Sequence, residues 1–206
     1  AVEWIRRHPQ YIEVKARGAE IERYDRVFLA CHSDQALALL ADPTSQEQEV
    51  LGAIAYQQNE AVLHTDDSLM PRRRRAWAAW NYHIPGGHAD PDGKVALTYN
   101  MNILQGLDAP LEFCVTLNHT HAIDPQKIIQ VIQYAHPVFT QQAVAAQQRH
   151  REVNGARGTY FCGAYWRNGF HEDGVVSALA AVDHFIEDLS GSGYQDDQQR
   201  YLPRAS

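Results

Sequence analysis

The sequence predicts a mixed α/β fold in two parts: a strand-and-helix layer shared between the two ends of the chain, and a strand-rich segment between them. Three observations lead there. "RVFLAC" (26–31) and "YFCG" (160–163) are short, continuous apolar runs, the pattern of strands buried on both faces. "GVVSALAAVDHFIEDL" (174–189) repeats Val175, Ala178, Leu179, Val182, Phe185, Ile186 and Leu189 at helical spacing, giving one apolar face. The middle of the chain instead holds several segments of strand character separated by turns.

Taken in order, Val2 to Arg6 and Tyr11 to Ala16 alternate around His8-Pro9-Gln10 and predict a hairpin. Arg17-Gly18 is a second turn before a third strand over Ile21 to Tyr24, and "RVFLAC" follows. Ser33 and Asp34 suit the start of one helix, and Ser45 the N-cap of the next. Strands are expected over Ala61 to His64, Ala76 to Ile84, Val95 to Tyr99 and Leu111 to Leu117, with a turn-rich loop at 85–93 and a short helical piece from Met101 to Leu107. After an apolar run from Ile128 to Tyr134, Pro137 suits the first turn of a helix reaching about Glu152, stopped by Asn154-Gly155. The expected layout is residues 1–44 and 156–190 in one domain, 45–155 in a β-sheet domain, and a loose tail over 191–206.

The 206 residues suffice for one large domain or two joined ones, and the balance of 18 basic against 25 acidic residues, net −7, argues against a general nucleic-acid binder. No apolar run reaches membrane-spanning length, and no signal-peptide pattern is present. Cys31, Cys114 and Cys162 sit in apolar runs without metal spacing, so free thiols and a cytoplasmic, reducing location are expected. "AVEWIRR" opens the chain without Met and already in a strand pattern, which suggests a fragment or a processed product.

The densest stretch is "FCGAYWRNGFHEDGVVSALAAV" (161–182): a strand ending in Gly163, a loop, and a helix expected to open at Gly174 with Asp173 as its cap. A helix N-terminus offers unpaired N–H groups and partial positive charge, and glycine allows close approach to the backbone. Glu172 and Asp173 would repel a phosphate, so a neutral acceptor such as a heterocycle carbonyl fits better. A turn that merely caps itself with Asp173 explains the same residues.

"GTYFCGAYWRNGFHEDGVVSALAAV" resembles the C-terminal flavin-contacting motif of the flavin-containing amine oxidase superfamily, and Gly-Ala-Tyr followed by Gly-Phe-His-Glu-Asp-Gly is similar to its branch of predicted bacterial NAD/FAD-binding proteins. "YDRVFLACHSDQALALLAD", "LMPRRRRAWAAWNY" and "LTYNMNILQGL…FCVTLN" resemble other segments of that branch, in the same order. The resemblance implies the C-terminal part of a Rossmann-like FAD domain with a β-rich substrate domain, acting in FAD-dependent, amine-oxidase-like hydride transfer on a small or lipid-like substrate. It places Gly163 and Ala164 near the ribityl chain and phosphates, His171, Glu172, Gly174 and Val175 near the isoalloxazine, and Val2 near the adenine. The superfamily's Gly-x-Gly-x-x-Gly phosphate cradle is absent from the sequence, whose adjacent glycines are Gly86 and Gly87; Ala164 stands where an acid is common. No counterpart of the superfamily's flavin-facing lysine is identifiable among Lys15, Lys94 and Lys127. The resemblance therefore implies a chain that holds FAD weakly or not at all alone, partnered by an N-terminal half or by a second copy of itself.

"WAAWNYHI" puts Trp77, Ala79 and Asn81 on one face of a strand and Ala78, Trp80 and Tyr82 on the other. Trp80, Asn81 and Tyr82 are candidates for a substrate-pocket wall, although ordinary sheet packing also explains such aromatics. His119 and His121, with Asp124 nearby, are the best metal candidates and keep a metal-dependent hydrolase open as an alternative, as does a non-catalytic binding or partner module. His171-Glu172 could act as an acid–base pair, and Arg72 to Arg75 reads as a solvated loop.

Overall fold

A computed structural model describes residues 1–84 and 94–191. The turn expected at 85–93 and the tail expected beyond Gly191 lie outside the described residues. The chain is mixed α/β and divides into two compact units: residues 1–56 with 137–206, and residues 57–136.

The first unit opens with an antiparallel meander of β1 (Val2–Arg7), β2 (Ile12–Ala16) and β3 (Ile21–Tyr24), in the order β1-β2-β3. β4 (Val27–Leu29), α1 (Ser33–Leu39) and α2 (Ser45–Gly52) follow. Thr44, one residue before the expected cap, starts α2: its hydroxyl accepts the Glu47 N–H and the Glu47 carboxylate accepts the Thr44 N–H, a reciprocal capping box. Glu47 is buried because it also receives the guanidinium of Arg7, which donates further to the Asp42 carbonyl at 2.7 Å. Arg157 joins this cluster through Asp42 and the Arg7 carbonyl.

The second unit holds a five-stranded sheet in the order β6-β7-β8-β5-β9, made of β5 (Ala55–His64), β6 (Trp80–His83), β7 (Ala96–Asn100), β8 (Cys114–Leu117) and β9 (Ile128–Val138), with the short helix α3 (Met101–Gln105) after β7. The β6 strand is shorter than the expected 76–84. Arg74–Ala76 forms a 3-10 turn, and the Asn81 side chain binds both the N–H and the carbonyl of Ala78, closing a turn where the strand was expected. The helix expected at Pro137 is also absent: β9 runs on through Pro137 to Val138. β9 is an edge strand, where a residue without an N–H is tolerated. The helix begins only at α4 (Gln141–Gln147), capped by the Thr140 hydroxyl, and breaks before α5 (His150–Val153).

The chain then returns to β10 (Thr159–Phe161), which pairs in parallel with β4, and the last described element is the 21-residue helix α6 (His171–Gly191). One face of this strand pair belongs to a core of Ile5, Ile12, Leu29, Val50, Leu51, Ile54 and Phe161. The other carries Tyr160 and Phe28, stacked at 4.8 Å, with Phe185 of α6 edge-on to both. The apolar residues of α6 are thus divided. Ala178, Ala181 and Phe185 face the strands, whereas Val175, Leu179, Val182 and Ile186 are 41–61 % exposed. At i, i+4, i+7 and i+11 those four form an open stripe about 16 Å long. No described helix is long and apolar enough to cross a membrane.

Candidate functional site

The turn joining β10 to α6 is built by close backbone contacts. The ladder continues past β10, with the Cys162 N–H donating to the Leu29 carbonyl at 3.1 Å. Gly163 is demanded by the protein itself: a Cβ there would lie 2.5 Å from Cε1 of the buried Tyr165 and 3.2 Å from the Cys31 carbonyl oxygen. Its N–H donates to the Ser177 hydroxyl at 2.8 Å, and that hydroxyl donates to the Gly174 carbonyl at 2.8 Å, tying the end of the strand to the first turns of the helix. Gln147 of α4 holds the loop from outside, its amide donating to the carbonyls of Tyr165 and Arg167 at 2.8 and 2.6 Å.

The helix starts at His171, three residues before the expected Gly174, and the reason is Asp173. Its buried carboxylate reaches back to accept the N–H groups of Asn168 (3.2 Å) and Phe170 (3.0 Å), with Arg167 3.6 Å away. The Gly174 N–H makes the first turn's bond, to the Phe170 carbonyl at 3.3 Å. The N–H groups of His171, Glu172 and Asp173 therefore have no partner within the helix. Because Asp173 is committed to the loop, Glu172 is the exposed carboxylate of this first turn.

Gly174 contrasts with Gly163. It sits in regular helix, where glycine costs roughly 1 kcal/mol relative to alanine. A Cβ at Gly174 would meet only the Ala164 nitrogen, at an ordinary 3.9 Å. The packing of this unit does not require a glycine there.

The other candidates fall as follows. His171 and Glu172 are exposed on the first turn of α6, Val175 is its fifth residue and exposed, and Ala164 opens a 3-10 turn next to Gly163. Val2 is the first residue of β1, paired with Ala16. In the second unit Trp80 and Tyr82 share an open face of the sheet, 51 % and 61 % exposed. Asn81 does not join them. It is buried on the opposite face, as the alternation of the strand predicts, its amide donating to the carbonyls of Ala78 (2.7 Å) and Thr98 (3.3 Å). His119 and His121 meet edge-on at 4.6 Å, yet among the described residues no group of three His, Cys, Asp or Glu side chains is placed to hold a metal ion. The metal-dependent hydrolase therefore finds no support there. A cavity of about 550 Å³ in the first unit lies away from the β10–α6 turn, at the amino ends of β4 and β10; of its three arginines, Arg151 and Arg157 are paired with Asp188 and Asp42, and Arg26 donates to the Asp25 carbonyl.

No family model and no curated protein matches the chain. Solved structures do. A CLA-producing fatty acid isomerase from P. acnes superposes with a TM-score of 0.59 at 16 % identity, over 90 % of this chain and 46 % of its own. Reduced UDP-galactopyranose mutase gives 0.61 at 11 % identity, over 94 % and 49 %. Cyclohexylamine oxidase from Brevibacterium oxydans IH-35A gives 0.54 at 11 %, over 92 % and 48 %. The chain shares the fold of these three enzymes. It spans about half the length of the structures it matches.

Several residues that shape these sites carry no mark in the sequence. Ser177 and Gln147 each act through two hydrogen bonds to backbone, which no local pattern announces. His64, Thr98 and Thr116 are fully buried in the second unit's sheet and linked side chain to side chain. Their signal is the inward register of polar residues in "LTYN" and "CVTL", readable only once strand pairing is known.

Proposed function

We propose that this chain is part of an FAD-dependent oxidoreductase of amine-oxidase type, supplying one side of the flavin site through the turn between β10 and α6. Within this reading the first unit is the C-terminal part of a Rossmann-like FAD domain and the second a substrate domain. The observation that carries it is Gly174: a helical glycine that its own surroundings do not need, beside the unpaired N–H groups of His171, Glu172 and Asp173. Close approach of a planar ligand edge gives that glycine a purpose, and the fold shared with amine oxidases points to the flavin as that ligand.

FAD, when bound, would accept a hydride from a small or lipid-like substrate. This chain's part is orientation and electrostatics. The positive end of α6 and its three free N–H groups favour a neutral or partly negative acceptor at the ring edge, and Asp173, turned into the loop, leaves room for it. His171, Glu172, Gly174 and Val175 would lie along that edge, Gly163 and Ala164 nearer the ribityl chain and phosphates, and Val2 toward the adenine. Trp80 and Tyr82 would contact substrate. The phosphate cradle would come from a polypeptide bearing Gly-x-Gly-x-x-Gly, which this sequence lacks.

A second reading, a module that binds a partner and does no chemistry itself, draws on the open stripe of Val175, Leu179, Val182 and Ile186. One experiment separates the two. The chain is mixed with a polypeptide supplying the phosphate cradle, FAD is added, and the flavin band near about 450 nm is followed through a desalting column. Retained flavin is expected for the wild type and its loss for Gly174→Val, with helix content unchanged in both. Association without flavin uptake would overturn the oxidoreductase reading in favour of the partner module.

A further inference from the structure

Buried polar side chains cross the sheet of the second unit from one strand to the next. His64 on β5, Thr116 on β8, Thr98 on β7 and His83 on β6 are joined by three side-chain hydrogen bonds, each 2.7 Å. At the far end the Asp66 N–H donates to Nδ1 of His64 at 3.0 Å. His64, Thr98 and Thr116 are fully buried.

These contacts have a direction. A neutral imidazole has one donor and one acceptor nitrogen. Nδ1 of His64 accepts from the backbone, so Nε2 carries the proton and donates to Thr116. The chain is complete only if the Thr116 hydroxyl donates to Thr98 and the Thr98 hydroxyl donates to Nε2 of His83. His83 must then be the Nδ1–H tautomer. A protonated His83 would have to donate at Nε2, turning Thr98 back toward Thr116 and leaving the Thr116 hydroxyl with no acceptor in the chain, which is costly in a buried site.

We propose that this one-way chain is an acid-sensitive latch on the edge strand β6, which carries Trp80 and Tyr82. With His83 neutral, the latch holds β6 to the centre of the sheet through four side chains. Protonation of His83 reverses its last bond and loosens the edge. The ring of His119 lies parallel to that of His83 at 5.5 Å and meets His121 edge-on at 4.6 Å, so a charge on any one of the three disfavours charge on the others. At the buried end, His64 faces Asp66 and Lys127, with Cys114 paired to it across the sheet. Burial pulls His83 and His64 below the ordinary imidazole value, so the latch is closed at neutral pH and opens only on acidification. The consequence for substrate rests on the role proposed above for Trp80 and Tyr82; the latch itself does not, and its test involves no flavin.

The test is ¹⁵N NMR of the histidine rings of the whole chain across a pH series. At pH 8 His83 is expected as the Nδ1–H tautomer and His64 as Nε2–H. On acidification the Trp80 indole signal should move with the midpoint of His83. An Nε2–H tautomer of His83 at pH 8 in the wild type would sink the idea without any variant. So would a Trp80 signal that follows the midpoint of His119 instead.

Discussion

The two units distribute polarity in opposite ways. In the first, the strand pair β4–β10 and the helices α1, α2 and α4 enclose an apolar core, and buried charge lies in the cluster around Arg7, Glu47 and Asp42 and at Asp173. In the second, the buried face of the sheet carries Asn81, Thr98, Asn100, Thr116 and His64, while Trp80 and Tyr82 look outward. A sheet with polar groups inside and aromatics outside reverses the usual alternation, and it is tolerated because each inward group is hydrogen-bonded to a neighbour. The first unit is therefore held chiefly by packing and exposes a helix stripe; the second is held to a larger degree by directional bonds and exposes an aromatic wall.

That contrast breaks first at the Arg7 cluster, the larger exception within the apolar unit. Glu47→Ala removes the main partner of a buried guanidinium and the α2 capping box together, and should cost roughly 3–5 kcal/mol in denaturant unfolding. A loss under about 1 kcal/mol, the size expected of an exposed pair, would mean that packing alone holds this unit. Next is Gly163→Val. Its Cβ would enter the ring of Tyr165, with an overpacking cost of about 2–3 kcal/mol, whereas Gly174→Ala should leave stability unchanged or raise it by up to about 1 kcal/mol. Thermal unfolding of the two variants separates a glycine the fold requires from one it does not.

Asp66 tests the second unit. Burial pushes its carboxyl up, but the N–H groups of Asp124 and Ser68 and the Lys127 ammonium outweigh burial and hold it well below the usual carboxylate range. A depressed folded value stabilises the fold above the unfolded value of about 4 and loses that contribution as pH falls below it. Asp66→Asn should cost about 2 kcal/mol at pH 7, and the gap from wild type should narrow as the pH is lowered from 4 toward 2. A gap that stays constant over that range would show that the charge of Asp66 is not what matters.

How much of this was legible in the sequence follows the same division. The meander, β4, β10 and α6 were readable because continuous apolar runs and helical periodicity report packing, which dominates the first unit. The start of α6 was misplaced by three residues because Asp173 acts backward on Asn168 and Phe170 rather than as the residue before the helix. In the second unit "LTYN" and "CVTL" invite Leu97, Tyr99, Val115 and Leu117 into the core, and the fold instead buries Thr98, Asn100 and Thr116. Nothing local distinguishes the two faces of such a strand; the choice is made by cross-strand partners distant in sequence.

The smallest expected effect belongs to Ser177. Its hydroxyl both accepts from the Gly163 N–H and donates to the Gly174 carbonyl, so it is a directional bond of the second unit's kind placed in the first unit's turn. Ser177→Ala leaves the Gly163 N–H without that acceptor and should cost about 1 kcal/mol, close to the mean for a single buried hydrogen bond. Because Ser177 ties the strand end to the helix, the variant should also raise amide exchange at Gly163 and Trp166 while leaving β1–β3 unaffected. Uniformly faster exchange across the first unit would mean that the turn is not an independent element, and the distinction between a packed core and a hydrogen-bonded site would then dissolve within that unit.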